Sequence, residues 1–240
     1  METLASIPGD YQYVALKRGF VVQRFWHYTK FLLINKLLSP QAGNIVLDAG
    51  CGSGVVSDFL GKNGAQIVGI DNNAEAIVFA KTQFNKQNIE FIKCNLDEAQ
   101  LWGKYAYDKI YFMEVIEHIT PEIAELMLKL FHKHLAANGQ VFITTPNYKS
   151  VWPFIEKVMD FFHLAPQLDG MQHVAKYDKS KLISLCEQCG YNVRIIASTN
   201  LFSPWIALVS WRLAEKMFNF EIDHNISTGP VLVAILEKKA

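Results

Sequence analysis

The chain has 240 residues, with Lys+Arg and Asp+Glu both at 23 and a formal net charge of zero. That length fits one domain with additions better than two independent domains, and neutrality removes the basic field that a non-specific nucleic-acid binder needs. Charged residues make up 19% against roughly a quarter in ordinary soluble domains, while aromatics reach 12%, so apolar surface beyond the core has to be covered by something.

The opening METLASIPGDYQY has no basic stretch followed by an apolar one, so a cytoplasmic location is expected. The uncharged stretch from Ile195 to Trp211 is interrupted by Ser198, Thr199, Asn200, Ser203 and Pro204 and is too short and too polar to span a bilayer. Cys51, Cys94, Cys186 and Cys189 fit a reducing compartment. The Cys186-x-x-Cys189 pair lies in a helical pattern with no second pair for zinc, and reads as helix packing.

In chain order, a helical addition over 11–38 precedes the first strand-length apolar run at 44–47. Further runs follow at 65–70, 89–93, 109–113, 140–144, 192–197 and 231–236. Helix-period stretches at 55–60, 74–84, 121–135 and 177–189 lie between them, the third capped by Thr120 with Pro121 at the first helical position. This alternation predicts a single α/β domain over 1–240, a seven-stranded sheet in an αβα sandwich. Two more helical additions are expected at 148–165 and 201–220, the second with Ser203 as N-cap and Pro204 at its first position.

The segment Ile45-Val46-Leu47-Asp48-Ala49-Gly50-Cys51-Gly52-Ser53-Gly54 is a strand entering a glycine-dense turn and then a helix. Glycines there let the backbone turn tightly and approach a ligand that a Cβ would push away, at the strand end where open α/β sheets bind ligands. Asp71 closes the second strand, placed for its carboxylate to accept from a ribose diol. Dinucleotide enzymes want G-x-G-x-x-G with pyrophosphate on the helix N-terminus. The spacing here is G-x-G-x-G preceded by Asp48, and an acid at that point favours a cationic ligand instead.

LDAGCGSG followed by GID closely resembles the first two motifs of class I S-adenosylmethionine-dependent methyltransferases, over about 44–145 and more loosely beyond. The resemblance implies S-adenosylmethionine as cofactor and a Rossmann-like, mostly parallel αβα sheet whose last strand is antiparallel. It further implies that 44–145 is the cofactor-binding core. Asp48 and the backbone of Gly50, Cys51 and Gly52, with Gly54 closing the turn, would hold the aminoacyl part, and Asp71 the ribose. FIKCNLDE aligns with the third motif, where an acid usually faces the adenine amino group. Here Asn95, followed by Leu96, takes that place, and an Asn oxygen accepts the same hydrogen bond. Met113 would pack near the cofactor.

The fourth strand ends in YDKIYFMEVIEHI, 107–119. In one reading E-x-x-E-H is support beneath the cofactor. In the other the segment resembles ubiquinone-pathway O-methyltransferases and small-RNA terminal methyltransferases, in which this motif binds a divalent cation. In a helical turn Glu114, Glu117 and His118 share one face at i, i+3 and i+4, and carboxylates with an imidazole suit Mg²⁺, Mn²⁺ or Zn²⁺, with His173 as a fourth ligand. Methyl transfer itself needs mainly alignment of acceptor with S–CH₃, and a hydroxyl acceptor benefits from a base. His173 and His118 are the candidates for that catalytic role, against a structural role for each; His27, His132, His134, His163 and His224 are assigned none.

The three additions hold most of the surplus aromatics, among them Phe20, Phe25, Trp26, Phe31, Trp152, Phe154, Phe161, Phe162, Phe202, Trp205, Trp211, Phe218 and Phe220. Either these helices pack on one another, or they line an apolar pocket for a long hydrophobic acceptor such as a polyprenylated quinone precursor or a lipid. In the second case the helix at 201–220 would make a peripheral membrane contact. The expectation is O-methylation of a small hydrophobic or lipid-like acceptor. An RNA 3′-terminal methyltransferase, disfavoured by neutrality, a non-catalytic cofactor-binding member and a dinucleotide oxidoreductase are the alternatives.

Overall fold

The computed structural model describes residues 8–98, 100, 102, 106–161 and 172–239. Seven strands form one sheet: β1 (Ile45–Ala49), β2 (Gln66–Asp71), β3 (Ile89–Lys93), β4 (Tyr107–Met113), β5 (Leu135–Pro146), β6 (Tyr191–Thr199) and β7 (Val231–Lys238). Their order is β3-β2-β1-β4-β5-β7-β6, with β7 antiparallel to both neighbours and the pairs among β1 to β5 parallel. From β1 the chain first moves outward to β2 and β3, then returns to place β4 on the other side of β1. That reversal opens a crevice beyond the carboxyl ends of β1 and β4.

Alternation along the strands sorts the core into two layers. Leu47, Ile110, Phe112 and Ile143 face a cluster closed by α5 (Pro121–His134) and α7 (Lys179–Gln188). Val46, Tyr111, Met113 and Phe142 face the opposite cluster, closed by α2 (Val21–Leu37), α3 (Val55–Leu60) and α9 (Trp211–Asp223). α4 (Ala74–Gln83) covers β2 and β3. Cys186 and Cys189 are buried on α7, and burial pushes both thiols up, Cys186 to about 12, as packing residues.

The additions differ in detail from the expectation. The first is two helices, α1 (Tyr11–Arg18) and α2, because Gly19 breaks the run in a backbone position where a Cβ would strike the Ala15 carbonyl. The second contains α6 (Trp152–Phe161), preceded by a turn at 148–151 where helix was expected; residues 162–165 of that expectation, with Phe162 and His163, lie outside the described residues. The third is a four-residue turn of helix, α8 (Ser203–Ile206), then α9. Ser203 does not cap α8: its hydroxyl donates to the buried Glu221 carboxylate, and Phe202 stands at the N-cap. Ser210 caps α9 instead. β5 also begins five residues earlier than the expected run at 140–144, since residues 135–139 extend the strand past a bulge opposite Tyr107.

Candidate active site

The turn after β1 takes the conformation that its glycines permit, with φ of +79° at Gly50, +51° at Gly52 and +79° at Gly54. Two of the three are bare for packing rather than for a ligand. A Cβ on Gly50 would strike Val115, and one on Gly54 would meet Phe91 and Ala80; only Gly52 opens toward a flexible side chain, Gln12 of α1. Four of the loop amides are already engaged. Gly50 N and Cys51 N donate to the Ile70 carbonyl at 2.8 and 2.9 Å, Gly54 N to Cys51 O at 3.0 Å, and Gly52 N to Asp71 Oδ2 at 2.8 Å. A pyrophosphate is held by N–H donors, and the three glycine amides here are already committed, while the Asp48 and Asp71 carboxylates beside them are acceptors, which suit ammonium and hydroxyl groups.

Asp71 also accepts from Asn73 N at 2.8 Å, so its carboxylate fixes the loop and the start of α4 while keeping lone pairs for a diol. Asp48 is buried behind the loop and accepts from Ser57 Oγ at 2.6 Å. Desolvation, with Asp71 adding to it, lifts its carboxyl to about 6, a position from which a cationic ligand would draw it back to the ionised form. Cys51 is buried and its thiol is pushed well up, which leaves it as packing. Met113 ends β4 with 5% exposure. Asn95 is exposed beyond β3, its N–H donating to Glu98, and Leu96 packs on the core beside it. The Cys94 amide, donating to Asp71 O, ties this segment to the acid that closes β2.

Beyond β4 the structure corrects the shared helical face expected for Glu114, Glu117 and His118. Glu114 has φ of +56°, outside any helix, and only Ile116–His118 form a 3₁₀ turn. The Glu114 carboxylate turns to Lys30 of α2, at 2.6 Å. Glu117 and His118 meet His173 instead: one ligand atom from each of the three lies within 4.8 Å of the others. His118 Nδ1 sits 2.8 Å from the Gln172 carbonyl and His173 Nδ1 2.7 Å from the buried Glu156 carboxylate, so each donates there and keeps Nε2 as a lone pair. Tyr148 Oη also donates to Glu156, at 2.6 Å. Burial, with Glu114 nearby, lifts Glu117 to about 8, and burial lowers His118; near neutral pH the resting cluster therefore holds a protonated carboxyl beside a neutral imidazole. Such a set can take a proton from an acceptor hydroxyl, or would lose the carboxyl proton to solvent on binding a cation.

Sequence reasoning missed Lys30, Gln12 and Glu156. Glu156 carried a signal, since it lies four residues after Trp152 and both are buried on the same face of α6. His27, given no role, also faces this region; burial and the Lys30 ammonium hold it down to about 4. The aromatic surplus divides. Phe25 packs on Trp211 and Phe31 stacks on Phe59, whereas Phe20, Phe154, Phe161, Phe202, Trp205 and Phe220 stay at least half exposed.

A family model described as a methyltransferase domain matches residues 22–195. The mitochondrial ubiquinone biosynthesis O-methyltransferase of Mus musculus is 29% identical over 183 residues, covering 72% of this chain and 47% of that protein. The ubiquinone biosynthesis O-methyltransferase of Acinetobacter baumannii is 32% identical over 109 residues, 44% of this chain and 45% of that one. The chain thus spans about half the length of these curated relatives. Among solved structures, magnesium protoporphyrin IX methyltransferase from Synechocystis PCC 6803 with bound SAH shares the fold, with a TM-score of 0.58 at 15% identity over 90% of this chain and 83% of that one. With a glycine turn tied to the acid that closes β2 and a family match over most of its length, the chain belongs to the class I S-adenosylmethionine-dependent methyltransferases.

Proposed function

We propose that the protein transfers the methyl group of S-adenosylmethionine to a hydroxyl oxygen of a small hydrophobic or lipid-like acceptor. The observation that carries this reading is the Glu117–His118–His173 cluster just beyond β4. A hydroxyl near pKa 10 is a poor nucleophile until its proton is drawn off, and two imidazoles with oriented Nε2 lone pairs beside a carboxyl supply that function. In this reading His173 and His118 face the acceptor, Asp71 binds the ribose, Asp48 and the turn at Gly50 to Gly54 bind the aminoacyl end, Asn95 and Leu96 border the adenine, and Met113 packs beneath. The names of the curated relatives favour O-methylation, and the exposed aromatics of the additions favour an apolar acceptor.

The same cluster fits a divalent cation. Both imidazoles are oriented through Nδ1 by a carbonyl and a carboxylate, the usual outer support of ligating histidines. A bound cation would lower the pKa of an acceptor hydroxyl; the chain's own part is to fix the imidazoles and hold Glu117 against Thr145 Oγ1, at 3.0 Å. No described helix is long and apolar enough to cross a membrane. Peripheral contact through the apolar rim at Phe202, Trp205, Leu208 and Val209 is the way a lipid-borne acceptor would be reached. The test is transfer of labelled methyl from the cofactor into fractionated extract. Label in chloroform-soluble phenolic ethers supports the reading; label in RNA, in protein or in amines overturns it.

A further inference from the structure

The N-terminal addition sends one cation into the acceptor side of the site. Lys30 is 6% exposed, and its Nζ pairs with Glu114 Oε2 at 2.6 Å. Glu114 reaches that partner from a left-handed backbone position, φ +56°, which a non-glycine residue occupies only when its surroundings hold it there. Its amide is fixed in turn, donating to the Thr144 carbonyl at 2.9 Å. Lys30 is itself set by α2, whose next residue back, Thr29, accepts from Asn200 Nδ2 at 3.1 Å. The carboxylate that the E-x-x-E-H spacing offers as a ligand is thus held by a fixed ammonium. Around the remaining cluster, the buried polar atoms Gln172 Nε2, Thr144 Oγ1, Trp152 Nε1 and Tyr177 Oη have no partner among the described residues. The Gln172 carbonyl holds His118 and the Trp152 ring packs 5.9 Å from His173, so these atoms flank a place built for something polar.

We propose that Lys30 reserves Glu114 from the Glu117–His118–His173 cluster, so that the cluster takes a divalent transition ion, Zn²⁺ or Mn²⁺, through one carboxylate and two imidazoles and discriminates against Mg²⁺. This rests on the cation reading above. One carboxylate with two imidazoles is a donor set for imidazole-preferring ions, whereas Mg²⁺ prefers oxygen and is helped by each added carboxylate. Glu114, three residues before Glu117, is the carboxylate that the motif would add, and Lys30 withholds it.

Titration calorimetry of the full chain with Zn²⁺, Mn²⁺ and Mg²⁺, each metal alone, tests this. In wild type, Zn²⁺ and Mn²⁺ bind and Mg²⁺ is weaker by at least about a hundredfold. Glu114→Gln leaves Zn²⁺ and Mn²⁺ affinity within about threefold, His173→Ala abolishes binding, and Lys30→Met gains at least about tenfold for Mn²⁺ and Mg²⁺. Lys30→Met/Glu114→Gln returns to the wild-type values. A loss of tenfold or more in Glu114→Gln places Glu114 in the wild-type coordination sphere and overturns the role given to Lys30, even where Lys30→Met fails to fold. Equal affinities in wild type and Lys30→Met overturn it while leaving the cation site standing. No binding of any ion to wild type removes the cation site and this inference together.

Discussion

The two ends of the crevice are built differently. On the cofactor side, between β1 and β3, the turn is local in sequence: three glycines take positive φ within five residues, and the loop amides close on Ile70, Cys51 and Asp71. On the acceptor side the polar groups come from segments far apart, with Lys30 on α2, Glu117 and His118 after β4, Tyr148 and Glu156 around α6, and His173 before α7. Among the described residues, buried polar atoms without a partner occur on both sides, Gln12 Oε1 and Ser53 Oγ at the turn and Thr144 Oγ1, Gln172 Nε2 and Tyr177 Oη around the histidines. The cofactor side is built by one short stretch of chain; the acceptor side exists only once distant segments have packed together.

The largest expected effect strikes the prebuilt side. Gly54→Val forces a branched side chain into a left-handed position against Phe91 and Ala80, where a Cβ alone would come within 2.9 Å of both. Overpacking and backbone strain together give a destabilisation of about 3–4 kcal/mol, read by urea denaturation. A loss under about 1 kcal/mol would mean the turn is not rigid and the contrast between the two sides is false.

Asp71→Asn comes next. It keeps the shape but weakens acceptance from Gly52 N and Asn73 N, and weakens acceptance from the ribose diol in the proposed role. Affinity for S-adenosylmethionine by calorimetry should fall about 10–100-fold. Glu156→Gln probes the other side. With the carboxylate that orients His173 Nδ1 neutralised, turnover should fall about 10–100-fold, while the cofactor Kd stays within twofold. Equal losses in turnover and cofactor affinity would merge the two sides into one unit.

A pH prediction follows from Glu117, lifted in the folded chain to about 8 from an ordinary 4.5. A raised carboxyl binds more protons folded than unfolded, so its stabilisation is full below pH 4.5 and disappears as pH rises to about 8. Asp48, lifted to about 6, adds a decline that ends earlier. His27, held down to about 4 from 6.5, and the lowered His118 work the other way up to pH 6.5, so thermal melting in a chelator should show stability falling between about pH 6.5 and 8, and Glu117→Gln should flatten most of that slope. An unchanged slope in the variant would place the titrating group elsewhere.

What was legible in the sequence follows the same division. The strands and the glycine turn could be read because their information is local: alternation, turn residues and a terminal acid within a short span. Glu117 and His118 were legible as residue types, and their meeting with His173 was anticipated as an added ligand. The departure of Glu114 was not legible, because nothing in E-x-x-E-H marks a left-handed residue, and the lysine that draws it away is 84 positions earlier. Ser203 looked like a cap for the same reason. Its competing partner, Glu221, lies on α9 and also accepts from the amides of Asn200, Phe202 and Ser203 at 2.8, 2.7 and 3.0 Å.

The smallest expected effect tests whether the apolar rim belongs to the acceptor side. Residues 201–209 carry no charge, and within them Phe202, Trp205, Leu208 and Val209 are exposed, Val209 by 85%. The segment is joined to the site through Asn200, which donates to Thr29 beside Lys30. An exposed valine makes few contacts, so Val209→Ser should change stability by no more than about 0.5 kcal/mol and leave cofactor affinity untouched. If the rim meets the lipid that carries the acceptor, losing two methyl groups from that contact is worth about 1 kcal/mol, or about fivefold in KM for a vesicle-borne acceptor. A water-soluble acceptor with the same hydroxyl head and no tail should show no change. Equal KM effects on both acceptors would move the rim into the reaction site, and no effect on either would leave it outside substrate capture.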